Sequence, residues 1–467
     1  MLAGKIFRSR IQSDTVTKKE KVLGYFFGPI SVSVMGSILA NYLNVYYTDV
    51  IDIASIWGGA FLSLFPLICK MIDSLTFVLM GRVVDRTASP QGKARPWILL
   101  STPVLLISMV LLFAVPNGSD WFRAVWIFFS YNLFYSIGYT AYSTCHTLLI
   151  PLSTKDKEER GKLSLISNAL NMLSGFFLAV LFPCVLVPAM GVNRRSWLVT
   201  ILVITVICCP LLLLEYYYTV ERVTKAEGEK KESLSLKEQF LCCIKSRQWI
   251  ILMIYMVVLQ FCGALSSYST FYYCNWVLGS YNDGITQALF YGLGNAPLSL
   301  GVFLCMPLCR RFGRRNAMMS GYVLAAIGSA LCLFNSRSLA TVLAGQAVKA
   351  VGLIPSTFMV STLLADALDD VEGKSRKRCD GFSSSVFNII ITLSGGAALG
   401  IFNFFLTRLG YLAPSTNAIP VQSASMQGFF SFCSLGVPAL GYLLLAGLLW
   451  YSALSGKPRQ AVKKLHV

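Results

Sequence analysis

Long apolar runs separated by short, polar and mostly basic stretches make up nearly all of the 467-residue chain. Twelve such runs lie at roughly 24–47, 54–80, 97–115, 121–149, 163–187, 197–218, 249–276, 286–308, 317–335, 338–365, 382–407 and 427–452. A hydrocarbon core about 30 Å thick is crossed by about 20 helical residues, so each run is a candidate transmembrane helix. Lipid offers backbone N–H and C=O groups no partner, which leaves the helix as the structure for such runs. The alternating pattern of a membrane barrel is missing. The pattern predicts an all-α membrane protein with twelve transmembrane helices.

The longest charged stretch, 219–248, divides these spans six and six. It predicts a cytoplasmic linker between an N-terminal half, 24–218, and a C-terminal half, 249–452, flanked by a terminal segment 1–23 and a tail 453–467. The halves echo each other. A basic, Gly-containing loop follows the second span (Gly81 to Pro96) and the eighth (Arg310 to Arg315), and a mixed-charge loop follows the fourth and the tenth. Internally repeated six-helix halves are one route to alternating access.

Composition excludes a water-soluble alternative. Apolar residues make up 55% of the chain and charged residues 13%, against about 25% charged in ordinary soluble domains, and the mean hydropathy is +0.62. The net charge of +18 is no nucleic-acid footprint. Of the 40 Lys and Arg, 33 lie in the seven stretches on the amino-terminal side, five on the opposite side and two inside spans. Cytoplasmic loops carry such an excess, so both termini are expected in the cytoplasm of a cell membrane. Residues 1–22 lack the apolar run of a cleavable signal. The 14 cysteines fall mostly within spans and show no metal-ligand spacing, as expected of small apolar fillers. No nucleophile–base pair or metal cluster points to an enzyme, and no cofactor is expected.

Few charges enter the membrane. Asp73 stands well inside the second span, and an intramembrane carboxylate is a functional candidate by default. Lys70, three residues earlier, shares its helical face and can pair with it. Lys349 lies about eleven residues from the outer end of the tenth span, or ~16 Å at 1.5 Å per residue, too deep to snorkel comfortably. If all three are ionised their sum is +1, which would favour an anionic ligand; burial that neutralises Lys349, or capping by carbonyls near Pro355, are the other readings. On the fourth span Tyr131, Tyr135, Tyr139 and Tyr142 are spaced to share one face, as a ligand-stacking surface or a helix–helix seam. His146 follows, either a ring at a helix end or a group able to take a proton near neutrality. Asn168 on the fifth span is either a polar cavity wall or an interhelical hydrogen-bonding group. In the cytoplasmic loops Asp85, Arg86, Arg95, Asp156, Glu159, Arg160, Asp366 and Asp369 can form moderate ion pairs that are remade as a cytoplasmic gate opens and closes; solvated loop charge is the alternative.

The stretch from Asp73 through Gly81, Asp85, Arg86, Gly92, Arg95, Pro96 and Trp97 resembles the signature of the glycoside–pentoside–hexuronide:cation symporters, the melibiose-carrier group of the major facilitator superfamily. Tyr47-Thr48-Asp49, Pro151 with Asp156 to Arg160, and Asp366 to Glu372 carry the resemblance along the chain. It implies the major facilitator fold, a sugar or glycoside substrate and Na⁺ or H⁺ coupling. It implies that Asp73 binds the coupling cation, with a basic residue beside it at Lys70, and supports Tyr139 as a substrate contact; Thr76 and Thr140 are candidates for further oxygen ligands, and Ser143, Asn168, Lys70 and Lys349 for facing the substrate. The chain departs from the family pattern at Ser33, Phe77 and Ser143, where the family has carboxylates, at Asn168 for an Arg, and at Thr392 for a Lys. The expectation is a monomeric secondary transporter in the lipid bilayer. A uniporter or exchanger, a carrier of an anionic sugar, and a non-transporting sensor are the alternatives.

Overall fold

Helix is the regular secondary structure throughout the described residues of the computed structural model, which are 9–53, 56–156, 158–164, 166–167, 180–223, 236–375, 380–415 and 418–455. The membrane-length elements are α1 (Glu20–Val50), α2 (Ala60–Arg86), α3 (Arg95–Phe113), α4 (120–153), α6 (Arg194–Tyr217), α7 (Arg247–Leu278), α8 (Gly284–Phe312), α9 (Arg314–Phe334), α10 (Leu339–Ser375), α11 (Asp380–Arg408) and α12 (Ala424–Tyr451). A shorter α5 is described over Phe182–Leu186 and Val187–Met190, because most of the expected span 163–187 falls outside the described residues. Nine helices among the described residues are long and apolar enough to cross a membrane. The other two long ones, α4 and α8, coincide with expected spans; α4 carries Asn132, Ser136, Thr140 and His146, which dilute its hydropathy.

The helices are turned inside out relative to those of a soluble protein. In α2 the side chains of Leu64, Ile68, Met71, Leu75 and Leu79 are exposed at spacings of three and four, while Leu62, Phe65, Cys69 and Asp73 on the other face are buried. An exposed apolar stripe of this length is stable only against lipid. The buried face is the one that holds the charge.

Two compact units divide the chain. The first takes Met1–Lys231, Thr270–Gly292 and Gly396–Gln427, and the second Glu232–Ser269, Leu293–Gly395 and Gly428–Val467. The first is tied together at its basic end by side chains that satisfy helix termini. The Glu221 carboxylate accepts the backbone N–H groups of Lys93, Ala94 and Arg95 at 2.8, 2.8 and 3.0 Å, and so caps the start of α3 with a favourable charge. Gly92 makes this possible: its φ is +110°, and a Cβ there would run into that carboxylate. Arg95 is buried and donates from Nη2 to the Tyr216 carbonyl at 2.9 Å, over the Tyr216 ring. Arg222 grips the fully buried Glu20 with two nitrogens, at 3.0 and 2.7 Å, and donates to the carbonyls of Ser13, Thr15 and Ser153.

The second unit relies on backbone contact. In the α9–α10 hairpin Gly321 faces Gly352 and Gly328 faces Gly345; a Cβ on Gly328 would lie 2.5 Å from the Lys349 nitrogen and one on Gly352 2.5 Å from the Gly321 oxygen. Small residues at such a seam let helices meet closely where no hydrophobic force drives them together. Replacing Gly328 by Leu should therefore destabilise the protein by about 1–3 kcal/mol or more through overpacking. Gly36→Ala, at a helical glycine whose Cβ would meet nothing within 4 Å, should be neutral or slightly stabilising. Thermal unfolding in detergent checks both, and equal melting temperatures for the two variants would refute the seam.

Candidate functional site

Pro66 interrupts the hydrogen-bond ladder of α2 one turn before Lys70. A proline has no N–H to give the carbonyl four residues earlier. That carbonyl, on Leu62, instead accepts the Asn403 amide of α11 at 3.0 Å. The backbones close in at the same place: a Cβ on Gly396 would lie 2.8 Å from the Lys70 Cγ and 3.1 Å from the Pro66 oxygen. Just beyond the gap, the Lys70 ammonium donates to Asp73 Oδ2 at 2.8 Å. Asp73 is 3% exposed and Lys70 20%. The Ser136 hydroxyl of α4 donates to Asp73 Oδ1 at 2.5 Å. Each carboxylate oxygen thus has a donor, and the pair is neutral as a whole.

Around Ser136 the helix α4 widens into a π-helical turn over Leu133–Tyr139. Such turns insert a residue and re-aim the side chains that follow. Tyr131, Tyr135 and Tyr139 form a ladder with ring centroids 4.6 and 5.9 Å apart. Lys70 Nζ sits 4.1 Å from the Tyr135 centroid and 5.4 Å from that of Tyr131, within cation–π range. Tyr142, expected on the same face, is carried away by the wider turn and donates to Glu215 of α6. Thr76 and Thr140 direct their hydroxyls to the carbonyls of Asp73 and Tyr135, both at 2.9 Å. Tyr139 and Ser143 are half-buried on α4, and Asn168 lies outside the described residues. Among the described residues no group of three or more His, Cys, Asp or Glu converges as a metal site. A neutralised ion pair beside aromatic faces and hydroxyls suits a ligand that is itself part apolar and part hydroxylated.

The sequence of residues 24–455 matches the family model of MFS/sugar transport proteins. The chain belongs to this family. Membership places it among transporters rather than enzymes and agrees with the resemblance to glycoside–pentoside–hexuronide:cation symporters. It is 25% identical over 443 residues to the isoprimeverose transporter of Lactiplantibacillus pentosus, covering 93% of this chain and 89% of that one. It is 25% identical over 460 residues to the glucuronide carrier protein homolog of Escherichia coli, covering 93% of each. The fold is shared with the nucleoside transporter NupG at a TM-score of 0.60 and 13% identity, over 94% of this chain and 99% of that one.

For this MFS/sugar transport protein the gate candidates fall into two kinds. Arg95 is fixed on the Tyr216 carbonyl, and Arg160 binds the Thr154 and Pro151 carbonyls at 2.7 and 3.0 Å, closing the end of α4. Asp156 caps the helix that follows, accepting the Glu158 N–H at 3.0 Å. Asp366 meets Arg314 at 3.4 Å with both side chains half exposed, Glu159 meets Lys21 at 2.7 Å, and Arg86 and Asp369 are exposed. The side chain of Asp85 lies outside the described residues.

Two polar clusters are assembled by residues that the sequence reading did not bring together, although it named Asp49, Tyr142 and His146. At the other end of α1, Asp49 is 4% exposed and accepts the hydroxyls of Thr48 at 2.7 Å and Tyr411 at 2.9 Å, while Asn44 and Asn403 exchange two hydrogen bonds of 3.0 Å. Toward the C-terminal end of α6, Glu215 is fully buried against Tyr142 and His146. A Glu directly after four leucines was the available signal, obscured by its nearness to the end of the span. Deleting one partner of the Lys70–Asp73 pair leaves the other charge uncompensated, so Asp73→Leu should cost about 3–5 kcal/mol. Lys70→Leu with Asp73→Leu should recover most of that loss. Denaturation of both variants decides it; a double variant no more stable than Asp73→Leu would mean that the pair is not what holds the charges in place.

Proposed function

We propose that the protein carries a glycoside or related sugar across the cytoplasmic membrane by alternating access, coupled to a cation at Asp73. The architecture in this reading is twelve transmembrane helices in two six-helix halves, 24–218 and 249–452, joined by the cytoplasmic linker 219–248, with both termini cytoplasmic. Nine apolar helices, the long α4 and α8 and the position of α5 support the number, and the distribution of Lys and Arg supports the orientation.

The observation that carries the reading is the buried Lys70–Asp73 pair beneath the tyrosine ladder. One carboxylate serves two cations. Na⁺ or a proton arriving at Asp73 weakens its hold on Lys70, and the released ammonium becomes available to a substrate oxygen. Occupancy by ion and by substrate is thereby linked, which is the requirement for symport. Tyr139, Ser143 and Asn168 complete the substrate wall, with Thr76 and Thr140 beside the cation. At the cytoplasmic side Arg86, Asp85, Asp366, Asp369 and Glu159 re-pair as that side closes, while Arg95, Asp156 and Arg160 brace the helix ends they already hold. The Asp49–Tyr411 and Asn44–Asn403 contacts are those that must part for access from outside.

Asp73→Asn should abolish uphill accumulation while leaving downhill counterflow of labelled isoprimeverose in proteoliposomes. Undiminished accumulation at normal protein levels would sink the assignment of Asp73.

A second reading is favoured by Lys349, which has no carboxylate partner among the described residues and sits on the tight α9–α10 seam. With the glucuronide carrier protein homolog among the relatives, it points to an anionic glycoside. Lys349→Gln should then weaken binding of a uronate at least tenfold and leave a matched neutral sugar unaffected, as measured by isothermal calorimetry. If neutral sugars bind as well as uronates and the variant keeps their order, the anionic reading is wrong.

A further inference from the structure

Outside the Asp73 site, one cluster of titratable groups has no role in the transport reading. Glu215 on α6 is fully buried, and its Oε1 lies 2.6 Å from His146 Nδ1 on α4. Tyr142 donates to the other carboxylate oxygen, and its ring stacks on the imidazole at 5.7 Å. On its far side His146 Nε2 is 3.0 Å from the hydroxyl of Ser167, itself 3% exposed. His146 is ten residues beyond Ser136 along α4, or roughly 15 Å, so the cluster is separate from Asp73.

The surrounding charges are already committed. Glu20 is held by Arg222, Glu221 by three backbone N–H groups of α3, and Arg95 by the Tyr216 carbonyl. Tyr25 from α1 is bonded to Ser153, and Cys145 from α4 is a buried thiol. Among the described residues this leaves Glu215 with His146 as its one charged counterpart.

We propose that His146, Glu215 and Ser167 form a proton-binding site through which the proton gradient acts on transport. The change is a single proton. With Nδ1–H donating to Glu215, neutral His146 accepts the Ser167 hydroxyl at Nε2. A proton added at Nε2 makes that nitrogen a donor, the Ser167 hydroxyl turns to accept, and the cluster passes from a net charge of −1 to zero without losing a hydrogen bond. Because the cluster joins α4 to α6 and to the helical turn at Ser167, its proton occupancy biases how these helices pack. The coupling role rests on the transport reading above; the existence of the site does not.

The chain has two histidines, so ¹⁵N-histidine labelling of the His466→Gln protein in nanodiscs leaves one imidazole signal, that of His146. It should titrate between pH 5 and 9, with a midpoint displaced by a pH unit or more in Glu215→Gln and unmoved in Asp73→Asn. A signal that does not titrate, or one indifferent to Glu215→Gln, overturns the site. In proteoliposomes, His146→Gln and Glu215→Gln should each lose at least tenfold of the isoprimeverose uptake driven by an imposed pH gradient, while retaining counterflow at equal pH. Gradient-driven uptake that survives in both variants overturns the coupling role. Absent counterflow in the unaltered protein overturns the transport reading and that role with it, while the histidine titration still decides the site.

Discussion

A charge in hydrocarbon must be matched within the protein, and in the first unit this constraint decides which helices touch. Four buried carboxylates each recruit donors from elsewhere in the chain. Asp73 of α2 takes Ser136 of α4, Glu215 of α6 takes Tyr142 and His146 of α4, Glu20 of α1 takes Arg222, and Asp49 takes Tyr411. Apolar side chains are as comfortable against lipid as against one another, so they specify none of these neighbours. A helix that carries one acidic residue on its inner face has few places to put it. The polar groups therefore do for this protein what a hydrophobic core does for one in water.

The second unit shows the other solution. The α9–α10 seam depends on glycines that let backbones meet, and the Arg314–Asp366 pair joins the two helices where both side chains are half exposed. Outside it, Trp249 donates to Ser383 at 2.6 Å and Ser246 to Asp370 at 2.6 Å.

Much of this was legible in the sequence, for physical reasons that also mark where reading stops. Hydropathy reveals a helix wherever lipid surrounds it, which is why the helices Ala60–Arg86, Arg194–Tyr217 and Arg314–Phe334 coincide with most of the expected spans 54–80, 197–218 and 317–335. The Lys70–Asp73 pair was legible because three residues of helix fix its geometry locally. The π-turn at Leu133–Tyr139 was not, because helical spacing assumes a constant period, and one inserted residue sent Tyr142 to Glu215. Glu221 was read only as part of the linker 219–248, since its use as a cap depends on α3 starting beside it, a proximity across more than a hundred residues. The Leu62 carbonyl freed by Pro66 could be predicted, but its partner Asn403, 341 residues away, could not.

The glycine seam has a mechanical consequence. Two helices in contact through their backbones have no layer of side chains between them to act as a lubricant, so neither rotates nor slides without breaking contact along its whole length. The α9–α10 hairpin is in this sense a girder. Lys349, whose own backbone nitrogen lies in the seam against Gly328, is riveted to it. Its ammonium can swing only through the arc of its side chain, and any larger excursion of that charge has to be a displacement of the whole hairpin.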